Sequence, residues 1–425
     1  MLMQRIIVNL FGRQELKVVK QLERFEKLSY DQISESRLRK LNQLITHFRT
    51  YPFYRDLMKQ CGSPETLTHI DNLKRFPVIT KDVIRSNLDY IAQRPESVYL
   101  NSTSGSTGTN FKFYQSKEML IWRRAANIVH CSWMGVNYWR DRKVTVWGLS
   151  PKIKHVREWL QKVKVFVQGG KLYQAYGLDE GRCVEILDDM RDFSPASMTC
   201  YPTYGYALAQ AGEKGGVKSP GLKAIIVSGE TCFEHQKEKM QNYFGCKVYN
   251  RYGSREFGSI AHEDERQKGL LIHPARLYVE TDQDGEMLVT DLNNFATPFI
   301  RYAIGDSGVI CHRNEGSGKT AFDSIQNLSG RSHDMIRTKS GKQLPGQFWT
   351  TLSRSVPGID AFQLVQKDKE HIELRAKVNS EYKDANEDKL HQKLKLVAGD
   401  EVKLTVVKVK EIEKTPAGKR RFIIR

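Results

Sequence analysis

The spacing of hydrophobic positions changes along this chain, and each change marks a different kind of element. Over residues 1–60 the apolar side chains Leu38, Leu41, Leu44, Ile45 and Phe48 recur at helical spacing among Arg, Lys and Gln, so this lead-in reads as mainly helical. Residues 97–116 switch character. The stretch from Tyr99 to Thr109 is dense in Ser, Thr and Gly, then gives way to Phe111, Lys112, Phe113 and Tyr114, which predicts a strand, a loop and a second strand.

Between 197 and 256 short apolar runs alternate with amphipathic stretches. Strands are expected at 197–201, 224–228 and 246–250, and helices at 204–213 and 234–244, the second closed by Gly245. That alternation implies a βαβαβ unit, hence a parallel sheet with helical crossovers. Residues 277–281 and 286–291 flank Asp284 and Gly285, a hairpin signal. Past about residue 330 the pattern becomes two paired strands (362–366 and 372–376), a helix (387–396) and a further strand (402–409), a small α+β unit. The expected fold class is α/β, with a large N-terminal domain over 1–329, a linker at 330–334 and a small domain over 335–425.

Composition narrows the function. A chain of 425 residues suggests two or three domains, and 40% hydrophobic with 27% charged residues is ordinary for a globular protein. No apolar run approaches the ~18 residues of a membrane span. The N-terminal stretch from Met1 to Phe11 carries Asn9 and no small-residue cleavage site, so the expected location is cytoplasmic. Seven scattered cysteines without a C-x-x-C pair indicate reduced thiols and no zinc site. The net charge of +18 admits nucleic acid, an anionic membrane face, or polyanionic substrates such as nucleotides and CoA. The Lys and Arg residues are spread out and no nucleic-acid-binding signature is present, so no specific nucleic-acid partner is expected. A basic solvated surface explains the charge as well, and the basic N-terminal region leaves a peripheral membrane contact open.

Open parallel sheets bind ligands beyond the carboxyl ends of their strands. Three unusual segments fall at such ends: Tyr201 to Tyr204; Ser228, Gly229 and Glu230; and Asn250 to Glu256. Convergence of these on one edge would make a site; read singly they are polar loops. The run Ser102, Thr103, Ser104, Gly105, Ser106, Thr107, Gly108 and Thr109 suits an anion, because glycines let backbone N–H groups turn inward and hydroxyls add donors without bulk. It is no Walker A loop, and alone it equally suits a flexible linker. Gly316 to Thr320 imitates the end of a Walker A motif, but Arg313 stands where its first glycine belongs, so it reads as a solvated hairpin loop. Asp306, following Gly305, offers two acceptor oxygens suited to a ribose, or is an ordinary turn aspartate. Pro416 and Gly418 make a tight turn that would present Lys419 at a loop tip, which alone also suits a basic surface loop.

Together and in this order, the segments resemble the adenylate-forming (acyl-CoA synthetase-like) superfamily, and within it the phenylacetate–CoA ligase and CapK-type polysaccharide-biosynthesis branch. The likeness runs from about residue 30 to the end. It implies that Thr103, Ser104, Gly105, Ser106, Thr107 and Gly108 hold ATP phosphates, with Ser228, Gly229, Glu230, Asn250, Gly253 and Ser254 lining the nucleotide site. Tyr252 would stack on adenine, Glu256 would hold Mg²⁺, and Asp306 with Arg331 would fix the ribose. Residues 330–334 would be a hinge about which a mobile small domain delivers the catalytic Lys419. Tyr201 and Tyr204 would line the acyl pocket.

The implied activity is AMP-forming activation of a carboxylic acid. Transfer of the acyl group to CoA, an acyl carrier protein or another nucleophile would follow, in surface polysaccharide biosynthesis by family association. Two other outcomes stay open: an adenylyltransferase that stops at an AMP ester, and a non-catalytic nucleotide- or nucleic-acid-binding protein. Three positions depart from the family pattern. His333 followed by Asp334 stands where the hinge usually has an acidic residue or lysine, Asn110 stands where proline is common, and residues 261–266 lack the cysteines with which some relatives bind zinc.

Overall fold

Helix α1 (Arg13–Phe25), α2 (Tyr30–Phe48) and α3 (Pro52–Gln60) open the chain. The computed structural model describes residues 12–92, 98–103, 111–147, 169–174, 178–229, 232, 234–312, 321–329, 335–341, 343–345, 349, 356, 358–380, 382–385, 387–388, 390–391, 394, 399–412 and 423–424. Helix α2 starts where Ser29 and Gln32 exchange side-chain hydrogen bonds with each other's backbone N–H groups, a capping box that satisfies two orphan donors. Its stripe of Leu41, Leu44, Ile45 and Phe48 is buried in the larger core. Two short helices, α4 (Lys81–Ser86) and α5 (Leu88–Ala92), lead to an antiparallel pair, β1 (Val98–Thr103) and β2 (Phe111–Ser116). Ser116 then caps α6 (Lys117–Trp133) by accepting from the Met119 N–H.

The βαβ expectation holds, within a longer sheet. In chain order come β3 (Lys143–Trp147), β4 (Gly170–Gln174), α7 (Glu180–Phe193), β5 (Ser197–Cys200), α8 (Pro202–Lys214), β6 (Ala224–Ser228), α9 (Glu234–Phe244) and β7 (Lys247–Ser254). Strands β4, β3, β5, β6 and β7 pair in parallel in that order. Residues Val144, Val146, Met198, Cys200, Ile225, Val227 and Val248 bury their side chains against α7, α8 and α9. The opposite face meets the end of α6, where Cys131 and Met134 pack on Ala224, Ile226 and Tyr249.

Beyond β7 the sheet is antiparallel, which the short-range pattern did not reveal. Strands β8 (Gly258–His262), β9 (Leu270–Ile272), β10 (Leu277–Thr281), β11 (Glu286–Asp291), β12 (Tyr302–Cys311) and β13 (Ser324–Ser329) extend it in the order β7-β8-β9-β13-β12-β11-β10, giving one mixed sheet of 11 strands. The predicted hairpin is present, with Leu277 opposite Asp291 and Gly285 at φ 80° in the turn. Strand β7 runs to Ser254, not Asn250, because β8 pairs with its continuation.

A second core lies after residue 335. It unites β14 (Met335–Arg337), β15 (Gln343–Pro345), β16 (Ile359–Gln366), β17 (His371–Val378), β18 (Lys403–Lys408) and β19 (Ile423–Ile424) through Ile336, Leu344, Leu364, Leu374, Leu404 and Ile423. The expected strand pair is β16 against β17, antiparallel, with β18 parallel to β17. Leu390 and Leu394, one helical turn apart in the segment read as a helix, are buried in the same cluster.

Candidate active site

Strands β5, β6 and β7 are neighbours, so the three segments singled out at their carboxyl ends share one edge. Tyr201 precedes α8, whose first turn accommodates Pro202. Its ring lies 3.9 Å from that of Trp147 and 5.4 Å from that of Tyr204, centroid to centroid. Gly229 closes this aromatic wall from β6. Its φ is +82°, and a Cβ there would fall 2.6 Å from Tyr201 Cε1, so no larger residue fits without displacing the ring. Ser228 donates its hydroxyl to the Arg251 carbonyl at 2.7 Å, locking the ends of β6 and β7 together.

Strand β7 carries the next residues. The Asn250 backbone N–H donates to Glu263 Oε2 at 2.7 Å, and Ser254 Oγ accepts from the Phe257 N–H at 3.3 Å. Gly253 sits where a Cβ would lie 2.3 Å from the Gly258 carbonyl oxygen, so the β7–β8 turn closes only around a glycine. Tyr252 is 9% exposed and donates its hydroxyl to Asp306 Oδ2 at 2.7 Å. Burial, then the Asp306 carboxylate and its hydrogen bond, then Glu256, hold this phenol well above the ordinary tyrosine range. It is a neutral donor at any physiological pH.

Glu256 lies in the β7–β8 turn and is 4% exposed. Tyr302, the first residue of β12, donates to its Oε1 at 3.3 Å, while Gln115 of β2 donates to its main-chain oxygen at 2.9 Å. The Phe111 ring, at the start of β2, is 6.3 Å from the Tyr302 ring. Thr103 closes β1 directly opposite Phe111, so the two anchors of the Ser/Thr/Gly loop meet beside Tyr302 and Glu256. Strand β2, the β7–β8 turn and the start of β12 are thus drawn into one place.

Ser104, Gly105, Ser106, Thr107, Gly108, Glu230, Arg331, His333, Asp334 and Lys419 lie outside the described residues, as do 316–320, read above as a solvated hairpin loop; the flanking strands β12 and β13 pair. Trp147 and Gln115 were not anticipated. An aromatic residue at the carboxyl end of a parallel strand was a usable signal for Trp147; nothing local marked Gln115.

Glu256 is a single buried carboxylate, and among the described residues no group of three His, Cys, Asp or Glu is placed to hold a metal. A lone carboxylate still suits Mg²⁺, which usually keeps several waters and takes its remaining ligands from substrate phosphates.

The mixed sheet with its separate small core, and a tyrosine, a glutamate and an aspartate gathered beside the anchors of a hydroxyl-rich loop, define an adenylate-forming enzyme. Residues 52–313 match the AMP-binding enzyme family and residues 336–425 the CapK C-terminal domain; the chain belongs to the AMP-binding enzyme family, in its CapK-like branch. It is 25% identical to protein CapK of Staphylococcus aureus over 99% of this chain and 96% of that one. It is likewise 25% identical to a phenylacetate-coenzyme A ligase of Pseudomonas putida, covering 77% of this chain and 76% of that one. In fold it resembles 2-hydroxyisobutyryl-CoA ligase in the postadenylation state, with a TM-score of 0.68, 20% identity and coverage of 95% and 91% of the two chains.

Proposed function

We propose that the chain activates a carboxylic acid with ATP and then passes the acyl group to a thiol, of CoA or of a carrier protein. In the first step a carboxylate oxygen attacks the α-phosphorus, the bond from that phosphorus to the bridging oxygen breaks, and pyrophosphate leaves. In the second, thiolate sulfur attacks the acyl carbon, AMP leaves, and the thiol proton goes to solvent. The observation that carries the reading is the meeting of the loop anchors Thr103 and Phe111 with Tyr302, Glu256, Tyr252 and Asp306.

Two anions must meet in the first step, so the site has to offset their repulsion. Residues 103–108 would hold the phosphates in line through backbone and hydroxyl donors. Tyr252 and Asp306 would seat adenine and ribose, and Gln115 and Tyr302 would keep Glu256 oriented. Glu256 would hold Mg²⁺, whose contribution when bound is to neutralise phosphate charge. We assign the large domain to 1–329, the hinge with His333 and Asp334 to 330–334, and the small domain with Lys419 to 335–425. The separate core of Ile336, Leu344, Leu364 and Leu374 supports that division.

The test is pyrophosphate release across a panel of carboxylic acids, with and without CoA. Acid-dependent release with AMP as the other product supports the reading. Release of ADP, or release that no acid stimulates, overturns it.

A further inference from the structure

Beneath the strand ends, on the face of the parallel sheet that meets α6, lies a cavity of about 200 Å³. The register explains its lining. Thr145 of β3 stands opposite Thr199 of β5, which stands opposite Ile226 of β6; Lys143 and Ser197 lie two residues below, and Arg251 pairs with Ser228 above. Side chains alternate across a strand, so these positions face away from the apolar set packed on α7, α8 and α9. The helix side contributes His130 and Cys131 of α6.

The lining is rich in donors and has no acid. Among the described residues no carboxylate pairs with the Arg251 guanidinium, which burial leaves with a lowered but still positive character. Among the described residues the Lys143 ammonium donates to the Tyr138 carbonyl at 2.5 Å and lies 3.8 Å from the Tyr138 ring, with Asp141 acting on it through space. His130 is buried, and among the described residues its Nε2 has no hydrogen-bond partner. Its Nδ1 is 3.3 Å from the Ser259 hydroxyl; with that hydroxyl donating, the ring proton sits on Nε2 as an unused donor. Burial holds His130 well below its ordinary value and His262 at about 4, so neither adds charge, and burial pushes the Cys131 thiol up to about 11, so no thiolate offsets the cations. Arg251 and Lys143 are half-buried, and cations drawn partly out of water with no carboxylate paired to them among the described residues lose solvation that a bound anion restores.

We propose that this cavity holds a second anionic group, a carboxylate or a phosphate, at the far end of the acid whose carboxyl is activated at the strand ends. This rests on the acid-activation reading above and names its substrate class. The Arg251 and Lys143 rows are four residues, about 13 Å, apart along the strands, so the two cations line opposite ends of the cavity. Arg251 is the specificity-determining residue, with Lys143, His130, Thr145 and Thr199 completing the donor set.

The test compares matched acids in pyrophosphate release by the full-length protein: adipate with its mono-amide, and 4-phosphonobutyrate with butyrate. The charged member of each pair is expected to have at least a tenfold higher kcat/KM, and Arg251→Met to bring that ratio to about one, with Arg251→Lys keeping part of it. Equal use of charged and uncharged members by the wild type overturns the proposal while leaving acid activation standing. Should no acid release pyrophosphate, the activation reading fails, and the cavity is judged by melting temperature. Adipate and phosphonobutyrate are then expected to raise the wild-type Tm more than their uncharged partners and to lose that advantage in Arg251→Met; equal shifts overturn it. Without ligand, Arg251→Met is expected to melt higher than the wild type, since it removes a half-buried charge that no carboxylate among the described residues pairs with. A lower Tm would make Arg251 a packing residue and sink the assignment.

Discussion

The Tyr252 hydroxyl donates to Asp306 Oδ2 at 2.7 Å although β7 and β12 are separated in the sheet by β8, β9 and β13. At about 4.8 Å per strand, a flat sheet would hold them roughly 19 Å apart. The antiparallel half therefore curls back on itself, and this curl brings the end of β12's first turn of chain, with Tyr302 and Asp306, over the end of β7.

Tyr252→Phe removes this hydrogen bond to the half-buried Asp306 carboxylate. The expected loss of stability is about 1.5–3 kcal/mol by urea denaturation, with a raised KM for ATP. The phenol stays protonated, so the stability difference between wild type and variant is expected to be constant between about pH 6 and 9. A difference below about 0.5 kcal/mol would mean the contact is not made.

The curl also explains how far the site could be read beforehand. The parallel half was legible because βαβ units are local: strand, helix and strand follow one another within a few dozen residues, and Ala224–Ser228 and Glu234–Phe244 fell where the periodicity put them. The antiparallel half pairs β9 with β13, and Gln115 reaches Glu256 from 141 residues away; no spacing rule encodes either. Tyr252, Glu256 and Asp306 were found by their motif surroundings, but the strand end assigned to Asn250 was too early because the partner that prolongs β7 comes after it. Trp147 joins the site through its contact with Tyr201, itself distant in the chain.

Gly253 tests the turn that carries Glu256. A Cβ at this position meets main chain, not a side chain that can swing away: the Gly258 carbonyl oxygen at 2.3 Å and its carbon at 3.1 Å. Gly253→Ala is expected to lose about 1–3 kcal/mol and to lower acid-dependent pyrophosphate release by displacing both Tyr252 and Glu256. Gly285→Ala makes a useful control, since its Cβ would meet nothing within 4 Å and only the φ of +80° opposes it. Its stability is expected to fall without a matching loss in kcat.

A buried ion network ties the N-terminal helices to the sheet and gives stability a pH signature. Arg37 of α2 meets Asp323 at 2.6 Å, and His312 Nδ1 lies 3.1 Å from the other Asp323 oxygen. The hydrogen bond to Asp323, opposed by partial burial, raises the His312 pKa; burial resists but His312 and Arg37 together lower that of Asp323. A raised histidine pKa contributes stability that is complete below its unfolded value, near 6.5, and is lost as pH rises through the folded value. The lowered Asp323 contributes above its unfolded value, near 3.8, and is lost as pH falls through the folded one. Denaturation midpoints are thus expected to decline from about pH 6.5 upward in the wild type and to flatten there in His312→Ala. Asp323→Ala, which strands Arg37 in the core, is expected to cost about 3–5 kcal/mol at all of these pH values.

Lys419, proposed above as the lysine of the activation step, lies within the residues that match the CapK C-terminal domain. An ammonium is needed only while charge develops between the acyl oxygen and the α-phosphate, and one such group removed from a preorganised site typically costs about 10²–10³ in rate. Lys419→Ala is therefore expected to bind ATP nearly as the wild type does while acid-dependent ATP–pyrophosphate exchange drops by about that factor. Supplied with a ready-made acyl-adenylate and CoA, the same variant is expected to form thioester at close to the wild-type rate if the proposed hinge motion withdraws the lysine before the thiol attacks. Exchange retained at near wild-type rate would remove Lys419 from the mechanism. Loss of both half-reactions together would instead show that the lysine serves to hold the nucleotide in each.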